Sequence, residues 1–199
     1  TNIQTLMIRR LFIIILLATN SYFLFAQKDS AYVQDSILER KYNSEGRIEA
    51  KKGDFEKAEM LFQESVNISK RLYGENDSKM IQSYMNLGIQ QKNLGKYDEA
   101  IKSYTKAEEL IKSVFGENDA RLGLVYTNIG VIFKSKGDHS KALEYQESAL
   151  RSLSADTIRF IDYIKITEFN HAVSLVSLNR SSEAIKIAKK NIAGKYNNL

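Results

Sequence analysis

A step of 42 residues repeats through this chain of 199 residues and constrains its fold more than any other feature. A glycine recurs at this step, with asparagine at its last occurrence, and an alanine follows five positions later: Gly53, Gly95, Gly137 and Asn179, then Ala58, Ala100, Ala142 and Ala184. An upstream series has the same step: Gly46, Gly88, Gly130 and Ala172. Such a period is typical of stacked, nearly identical units that share one continuous core. It predicts a repeat protein of about four units.

Apolar residues within each unit predict two helices separated by a tight turn. In the second unit one stripe precedes Gly95 and another follows it: Tyr84, Leu87, Gly88 and Leu94, then Tyr97, Ala100, Ile101, Tyr104, Ala107 and Ile111. Spacings of three and four residues are helical. Proline is absent and glycine falls mostly at the repeat positions, so little else interrupts a helix. The expected fold class is all-α.

Glycine and aspartate at fixed positions predict how these helices begin and end. The segment Gly-Glu-Asn-Asp occurs at residues 74–77 and again at 116–119. Its glycines are expected to end helices in the left-handed conformation. Four aspartates are expected to cap the helices that follow: Asp54, Asp77, Asp119 and Asp138.

Three glycines fall in the middle of predicted helices, at Gly46, Gly88 and Gly130. A glycine there costs about 1 kcal/mol relative to alanine. The expected compensation is close approach of the second helix of the same unit, through its small alanine at position 58, 100 or 142.

The motif in the second unit resembles the tetratricopeptide repeat: Tyr84…Leu87-Gly88…Gly95-x-Tyr97-x-x-Ala100…Tyr104…Ala107. The common unit of that family has 34 residues and a proline near its end, whereas this unit has 42 residues and no proline. The longer unit, with its Asn-Leu-Gly core, is similar to the kinesin-light-chain variety. The resemblance implies an α-solenoid of about four helix-turn-helix repeats, forming a right-handed superhelix that binds a peptide in its concave groove. It does not imply a motor partner.

The N-terminus reads as a secretory signal peptide. Arg9 and Arg10 precede an apolar run at residues 11–18, and Ala26 offers a small residue for cleavage. Cleavage there predicts an exported protein, periplasmic or secreted, with no membrane contact afterwards. The alternative is an uncleaved anchor in the inner membrane, which is less favoured because a span needs about 20 apolar residues and residues 19–21 interrupt this run.

These features divide the chain into a pre-sequence and signal peptide at 1–26, a short linker at 27–35, a repeat domain at 36–193 and a tail at 194–199. The units are expected near 36–76, 77–118, 119–155 and 156–193.

Composition argues against several kinds of function. With no cysteine, the chain can form no disulfide, zinc–thiolate site or thiol nucleophile. The formal charge of +5 falls to +3 without Arg9 and Arg10, and the lysines are interspersed with acidic residues, which does not suit nucleic-acid binding. His139 and His171 stand at packing positions of the repeat. No nucleophile–base pair stands out, so no cofactor, metal site or catalytic activity is predicted.

The binding residues are predicted on the first helix of each unit. Asparagine recurs at one repeat position, as Asn86, Asn128 and Asn170, which in the family lines the concave groove and contacts a peptide backbone. The full predicted set comprises Arg47, Lys51, Met85, Asn86, Ile89, Lys92, Thr127, Asn128, Val131, Lys134 and Asn170. Its lysines favour a segment with some acidic residues. Two alternatives stay open: the asparagines join adjacent repeats, and the lysines are ordinary solvated surface.

The sequence therefore predicts a protein-interaction scaffold that binds an extended polypeptide. An alternative is the N-terminal sensory or regulatory module of a larger kinase, transcription regulator or caspase-like peptidase. A weaker option is self-association through the apolar edge of the last helix, at Ile185, Ala188 and Ile192.

Overall fold

The computed structural model describes the backbone of residues 2–196 and the side chains within 7–189, except those at positions 8, 9, 11, 13, 24 and 26. Every regular element in this part of the chain is helical, which confirms the all-α fold. The elements are α1 (Asn2–Lys52), α2 (Phe55–Tyr73), α3 (Met80–Asn93), α4 (Tyr97–Phe115), α5 (Leu122–Ser135), α6 (His139–Leu153), a short 3₁₀ helix (Ser154–Asp156), α7 (Ile161–Ser177) and α8 (Ser181–Tyr196). Consecutive helices pair as four hairpins, α1–α2 to α7–α8.

The first helix is much longer than the others, with 51 residues. It runs without a break through 27–35, where the sequence predicts a linker. The guanidinium group of Arg71 in α2 donates two hydrogen bonds, of 2.9 and 3.1 Å, to the carboxylate of Asp35, and these join α1 to the end of the first hairpin. Among the described residues no helix is long and apolar enough to cross a membrane. Signal-peptide cleavage stays a prediction.

The turn within each hairpin has a residue with a positive φ angle at the position of the repeated glycine. The φ angles of Gly53, Gly95 and Gly137 are 84°, 73° and 78°, and Asn179 has a φ of 61°. A Cβ atom at these three glycines would meet no atom within 4 Å, so the backbone conformation and not a lack of space favours glycine there.

The glycines that end the second helices differ from the prediction. Gly74 and Gly116 have positive φ angles of 83° and 94°, but their ψ angles are 162° and 168°. This combination lies outside the left-handed helical region, in a region that almost only glycine occupies. The chain therefore leaves α2 and α4 in an extended direction, instead of closing a left-handed cap.

The capping aspartates act in two ways. Asp54 and Asp138 accept hydrogen bonds of 3.1 and 3.0 Å from backbone N–H groups in the first turns of α2 and α6, as predicted. Asp77 and Asp119 accept from backbone N–H groups two residues further on, at 2.8 and 2.9 Å. Those donors lie one position before α3 and α5 begin, so these two side chains brace the turn that precedes the helix.

Large side chains explain the mid-helix glycines. A Cβ atom on Gly88 would lie 2.8 Å from the ring of Tyr104, and one on Gly46 would lie 3.1 Å from the ring of Phe62. The predicted partners, the alanines at 58 and 100, are fully buried but supply none of these nearest contacts. The prediction was wrong about the partner: each glycine makes room for an aromatic ring located four residues after the alanine.

The third unit departs from this arrangement. Gln146 stands where the first two units have aromatic rings, and its Cγ would lie 3.2 Å from a Cβ on Gly130. The carbonyl of Ala142 lies 3.4 Å from the same point, so in this unit the backbone of the second helix is among the nearest atoms.

The core is continuous through the first three hairpins. The fourth hairpin joins it through two smaller groups of buried residues: Ala120, Leu153 and Phe160, and Leu143, Leu175 and Ala184. Within the described residues α3 contacts α5 and α5 contacts α7, whereas no comparable contact joins α4 to α2 or α6. The first helices α3, α5 and α7 therefore lie closer together than the second helices α2, α4 and α6, and they form the inner side of the stack.

Candidate functional site

Three columns of side chains, each with the 42-residue step, run along the first helices and form what is here called the inner face. The first column is Ser44, Asn86, Asn128 and Asn170; the second is Arg47, Ile89, Val131 and Val173; the third is Ala50, Lys92, Lys134 and Val176. Every predicted binding residue except Lys51, Met85 and Thr127 lies in one of these columns. The columns are in register because each unit repeats the same helix and packs the same apolar side of it, so equivalent positions point the same way.

Lysine and asparagine of the inner face bond to each other across the unit boundary. The ammonium group of Lys92 in α3 donates a 2.8 Å hydrogen bond to the Oδ1 of Asn128 in α5. Lys134 in α5 donates a 2.6 Å hydrogen bond to the Oδ1 of Asn170 in α7. The alternative in which the asparagines join adjacent repeats is thus what the geometry shows for these two residues. Asn170 is also buried, which removes it from an open binding surface.

The second unit breaks the series, because Ala50 stands where a lysine would reach Asn86. The Oδ1 of Asn86 instead accepts a 2.8 Å hydrogen bond from the Nε2 of Gln82, on the same helix. The amide nitrogen of Asn86 has no hydrogen bond within the described part of the chain. Asn86, which is only half-buried, therefore offers a free donor to a ligand.

The cations of the inner face differ from Lys96 and Lys112 in their charge partners. Among the described residues, no Asp or Glu lies within ion-pair distance of Lys92 or Lys134, whereas Lys96 and Lys112 each pair with a glutamate. Burial lowers the pKa of Lys92 below the ordinary lysine value of 10.5. Arg47 is exposed and likewise unpaired. A partly desolvated ammonium group without a counter-ion is well suited to receive a carboxylate.

Two predicted binding residues lie in the core of the stack. Met85 is 9% exposed and packs in the main hydrophobic core. Thr127 is buried, and its Oγ1 donates to the carbonyl of Gly123 while lying 2.8 Å from the Oγ1 of Thr167. Both were predicted to contact a ligand as apolar or small residues between the polar side chains of the groove. A one-residue step rotates a helical side chain by about 100°, and that rotation turns both from the inner face into the unit boundary.

The remaining predicted residues lie where a ligand can reach them. Ile89 and Val131 are half-buried between the polar columns and supply apolar contact area. Lys51 is exposed at the end of α1, two residues before the turn glycine Gly53. Together with Arg47, it adds positive charge at the end of the inner face nearest the N-terminus.

The two histidines belong to none of the three columns of the inner face. His139 is half-buried, with its Nδ1 unpaired, and the Nε2 of His171 lies 3.8 Å from a carboxylate oxygen of Glu147. Burial lowers the pKa of His171, while Glu147 partly opposes that shift. No group of three or more metal-ligating side chains occurs among the described residues.

Comparison with protein families identifies repeats over most of the helical stack. Two models, each described as a tetratricopeptide repeat, match residues 42–78 and 79–155. No curated protein matches the sequence significantly.

Solved structures share the fold at low sequence identity. BtubC (BKLC) from P. vanneervenii superposes with a TM-score of 0.73 at 24% identity, over 83% of this chain and 66% of that one, so this chain spans less than two thirds of its length. A putative kinesin light chain from Podosopora anserina, with nearly identical TPR-like repeats, gives 0.68 at 15% identity, over 80% of this chain and 76% of that one. The TPR domain of Arabidopsis FLU gives 0.55 at 20% identity, over 61% and 99%. These likenesses confirm the helical solenoid.

Proposed function

We propose that this chain, whose residues 42–155 are tetratricopeptide repeats, is a scaffold that binds an extended, acidic polypeptide segment on its inner face. Tetratricopeptide repeats generally mediate protein–protein interaction. The observation that carries the specific proposal is the pair of unneutralised ammonium groups, Lys92 and Lys134, repeated at the 42-residue step. Each is held in place by an asparagine of the following unit.

The asparagines position the lysines for a ligand. Holding an ammonium group by one hydrogen bond leaves two of its three N–H donors available to a carboxylate. A fixed side chain also loses less conformational freedom on binding than a solvated lysine would. Asn86 adds a free amide donor, which a peptide carbonyl of the ligand accepts. A charged hydrogen bond contributes about 1.5–3 kcal/mol, so two lysines alone give less than the ~8 kcal/mol of a micromolar complex.

Apolar contact supplies the remainder of the binding free energy. Ile89 and Val131 lie between the polar columns, one helical turn from the lysines, and are half-buried before any ligand binds. Side chains of the ligand that alternate with its carboxylates would cover them. The inner face therefore favours a segment in which acidic and apolar residues alternate.

We also propose that the array acts after export. The support is the sequence of residues 9–26, with its two arginines, apolar run and terminal small residue. N-terminal sequencing of protein recovered from the periplasm or medium of expressing cells is expected to begin at Gln27. Recovery only from cytoplasm, with residue 26 still attached, would contradict export.

The binding proposal is tested with a defined library of fluorescein-labelled 10-residue peptides in which two glutamates are placed at varied spacings among alanine and leucine. Fluorescence anisotropy is measured for wild type, for the Lys92→Met/Lys134→Met variant and for a control. Lys102→Met is the matched control, because Lys102 is exposed on α4, away from the inner face. At least one peptide is expected to bind, and the double variant is expected to bind it about tenfold or more weakly.

The control variant is expected to match wild type within about twofold. Replacing both glutamates of the binding peptide by glutamine is expected to weaken binding as much as the double variant does. If no peptide in the library binds, or if Lys102→Met weakens binding as much as Lys92→Met/Lys134→Met, the inner face is not the binding site.

A further inference from the structure

A groove between the second helices α2 and α4, here called the outer groove, has α3 as its floor and a volume of about 310 Å³. The floor presents Tyr84, Leu87 and Gln91 of α3. The walls are formed within residues 63–70 of α2 and 99–106 of α4, about two helical turns each. The spacing of the three floor residues places them on the side of α3 opposite to the columns of the inner face. The outer groove is therefore a separate surface.

The third unit shows what fills the equivalent place one repeat step further along. Phe133 and Tyr145 stand there in place of Gln91 and Ser103. Their rings stack, with centroids 5.4 Å apart and planes at 10° to each other. Tyr145 also lies 6.2 Å, centroid to centroid, from Tyr126 on the floor of that unit. The third unit thus fills its own outer groove with a tyrosine ring.

The second unit is the exception among the three internal units. In the fourth unit the same two positions carry Leu175 and Ile187, which pack in one apolar group. In the second unit the Oγ of Ser103 donates a 2.7 Å hydrogen bond to the Oε1 of Gln91. A short polar pair therefore replaces two large apolar side chains, and the space of one ring stays open between α2 and α4.

Gln91 offers a hydrogen-bond donor in this groove. The residue lines the groove and is only 8% exposed. Its amide oxygen accepts from Ser103, whereas its amide nitrogen has no hydrogen-bond partner in the described part of the chain. A nearly buried N–H donor without a partner favours an occupant that brings an acceptor, such as the hydroxyl group of a tyrosine.

The charges at the rim favour an acidic neighbour for that ring. Three lysines and one glutamate line the groove: Lys70, Lys102, Lys106 and Glu99. Lys70 and Lys106 each pair with a glutamate, at 3.0 and 2.8 Å. Among the described residues no carboxylate lies within ion-pair distance of Lys102. One cation at the rim is thus available to a carboxylate of a ligand.

We propose that the outer groove binds a tyrosine side chain of a partner polypeptide that carries an acidic residue next to the tyrosine. The ring lies over Gln91 and Ser103, as the ring of Tyr145 lies over Phe133. The polypeptide on either side of the ring follows the groove, whose walls are longer than one ring. A large aromatic side chain in a preformed slot acts as the anchor of such an interaction. This site does not depend on ligand binding at the inner face.

The test is an NMR titration of the full, ¹⁵N-labelled chain with unlabelled ligands, because a fluorescent dye is itself aromatic. The probe peptide is Gly-Ser-Glu-Tyr-Glu-Ser-Gly, and its control peptide has alanine in place of tyrosine. N-acetyltyrosinamide represents the free ring. Dissociation constants are obtained from the shifts of the backbone amide signals of residues 87–91 and 102–106, which lie at the groove.

Three variants accompany wild type. Gln91→Phe/Ser103→Tyr copies the third unit and fills the groove without changing its charge. Lys102→Met removes the unpaired cation at an exposed position and leaves the packing unaltered. Ser182→Tyr is the control, because Ser182 is exposed on α8 in the fourth hairpin. Lys102→Met remains a control for the inner face, since the peptides used there contain no aromatic residue.

Wild type and Ser182→Tyr are expected to bind the tyrosine peptide equally. Wild type is expected to bind the alanine peptide and N-acetyltyrosinamide about tenfold or more weakly than the tyrosine peptide. Filling the groove is expected to weaken binding of the tyrosine peptide about tenfold or more, and Lys102→Met about twofold to fivefold. Unchanged circular dichroism melting checks that the variants fold.

The proposal is overturned if the tyrosine peptide does not bind up to about 1 mM, or if the alanine peptide binds equally. Equal binding of the tyrosine peptide by wild type and either groove variant also overturns it. So does equally tight binding of N-acetyltyrosinamide, because the groove would then be a site for a small aromatic molecule.

Discussion

The ammonium group of Lys92 lies 2.8 Å from the side-chain oxygen of Asn128, in the next unit, and the same relationship recurs between Lys134 and Asn170. In both pairs the partners are 36 residues apart. One contact thus serves two purposes. It joins adjacent hairpins, and it holds a cation on the inner face where no carboxylate of the described residues neutralises it.

Replacing both Lys92 and Asn128 is expected to separate the role of their contact in stability from its role in ligand binding. Lys92→Met/Asn128→Leu replaces a partly buried charge and its amide by apolar side chains of similar volume, which is often neutral or stabilising. We expect the free energy of unfolding in urea to be unchanged or to rise by about 1 kcal/mol. Binding of an acidic peptide is expected to fall about tenfold.

The single variant Asn128→Ala provides the contrast. It leaves the ammonium group of Lys92 partly buried without its acceptor, which is expected to cost about 1–3 kcal/mol of folding stability. If the double variant is destabilised as much as the single one, the contact is a structural requirement and the proposed separation is wrong.

The mid-helix glycines offer a second prediction. Gly88→Ala would place a Cβ atom 2.8 Å from the ring of Tyr104, whose neighbours are fully packed. Gly130→Ala would place one 3.2 Å from the Cγ of Gln146, on a more flexible side chain. The first substitution is expected to destabilise by about 1–3 kcal/mol. The second is expected to be close to neutral, because the helical preference of alanine, about 1 kcal/mol, offsets the smaller displacement.

Urea unfolding of the two single variants measures the difference. The matched control is Gly88→Ala made in the Tyr104→Leu background, where the ring and its clash are absent. In that background Gly88→Ala is expected to cost less folding stability than it does in wild type. Equal destabilisation by Gly88→Ala and Gly130→Ala would show that the ring does not determine the requirement for glycine.

Periodicity was sufficient to predict the hairpins, their turns and the faces of the helices. The spacing of Gly53, Gly95 and Gly137 fixed the turns, and the apolar stripes fixed which sides pack together. This follows because equivalent positions in several units carry the same residue types, so a pattern that arises by chance in one unit is not found in the next.

Side-chain contacts between adjacent units could not be predicted from the periodicity. Lys92 and Asn128 were both placed on the inner face by their own helix, but their contact depends on how far adjacent hairpins are rotated, which no spacing within one unit contains. A pattern did exist: each lysine of the column precedes an asparagine by 36 residues. The one-residue error at Met85 and Thr127 has the same origin, because the boundary between an open face and a packed one is set by the neighbouring unit.

Gln146 is expected to weaken the third unit. Its side chain is 1% exposed, and neither its amide oxygen nor its amide nitrogen has a hydrogen-bond partner among the described residues. An unsatisfied buried polar group costs about 1–3 kcal/mol. Gln146→Met keeps the length of the side chain and removes both polar atoms, so we expect the free energy of unfolding to rise by about 1–2 kcal/mol.

Equilibrium urea unfolding followed by circular dichroism measures this change. Gln34→Met, at an exposed position of α1, is the control and is expected to have no effect beyond about 0.5 kcal/mol. A loss of stability in Gln146→Met would indicate that an ordered water or another partner satisfies the amide in solution.

The last prediction concerns pH and the docking of the fourth hairpin. Burial lowers the pKa of His171 below its ordinary value of 6.5, and Arg180 lowers it further, while Glu147, Glu168 and Glu183 oppose the shift. The unfolded chain therefore takes up a proton at a higher pH than the folded one does. Stability from this residue is fully present above about pH 6.5 and is lost as the pH falls through 6.5 toward the folded pKa.

His171→Leu introduces the residue found at this position in the second unit and removes the titrating group. The free energy of unfolding of wild type and variant is measured at intervals from about pH 7.5 to pH 5. Carboxylates away from position 171 contribute equally to both curves, so the difference reports the histidine together with its interactions with Glu147, Glu168 and Glu183. That difference is expected to grow in favour of the leucine variant as the pH falls. A difference that stays constant with pH would mean that His171 takes up its proton equally readily in the folded and unfolded chain.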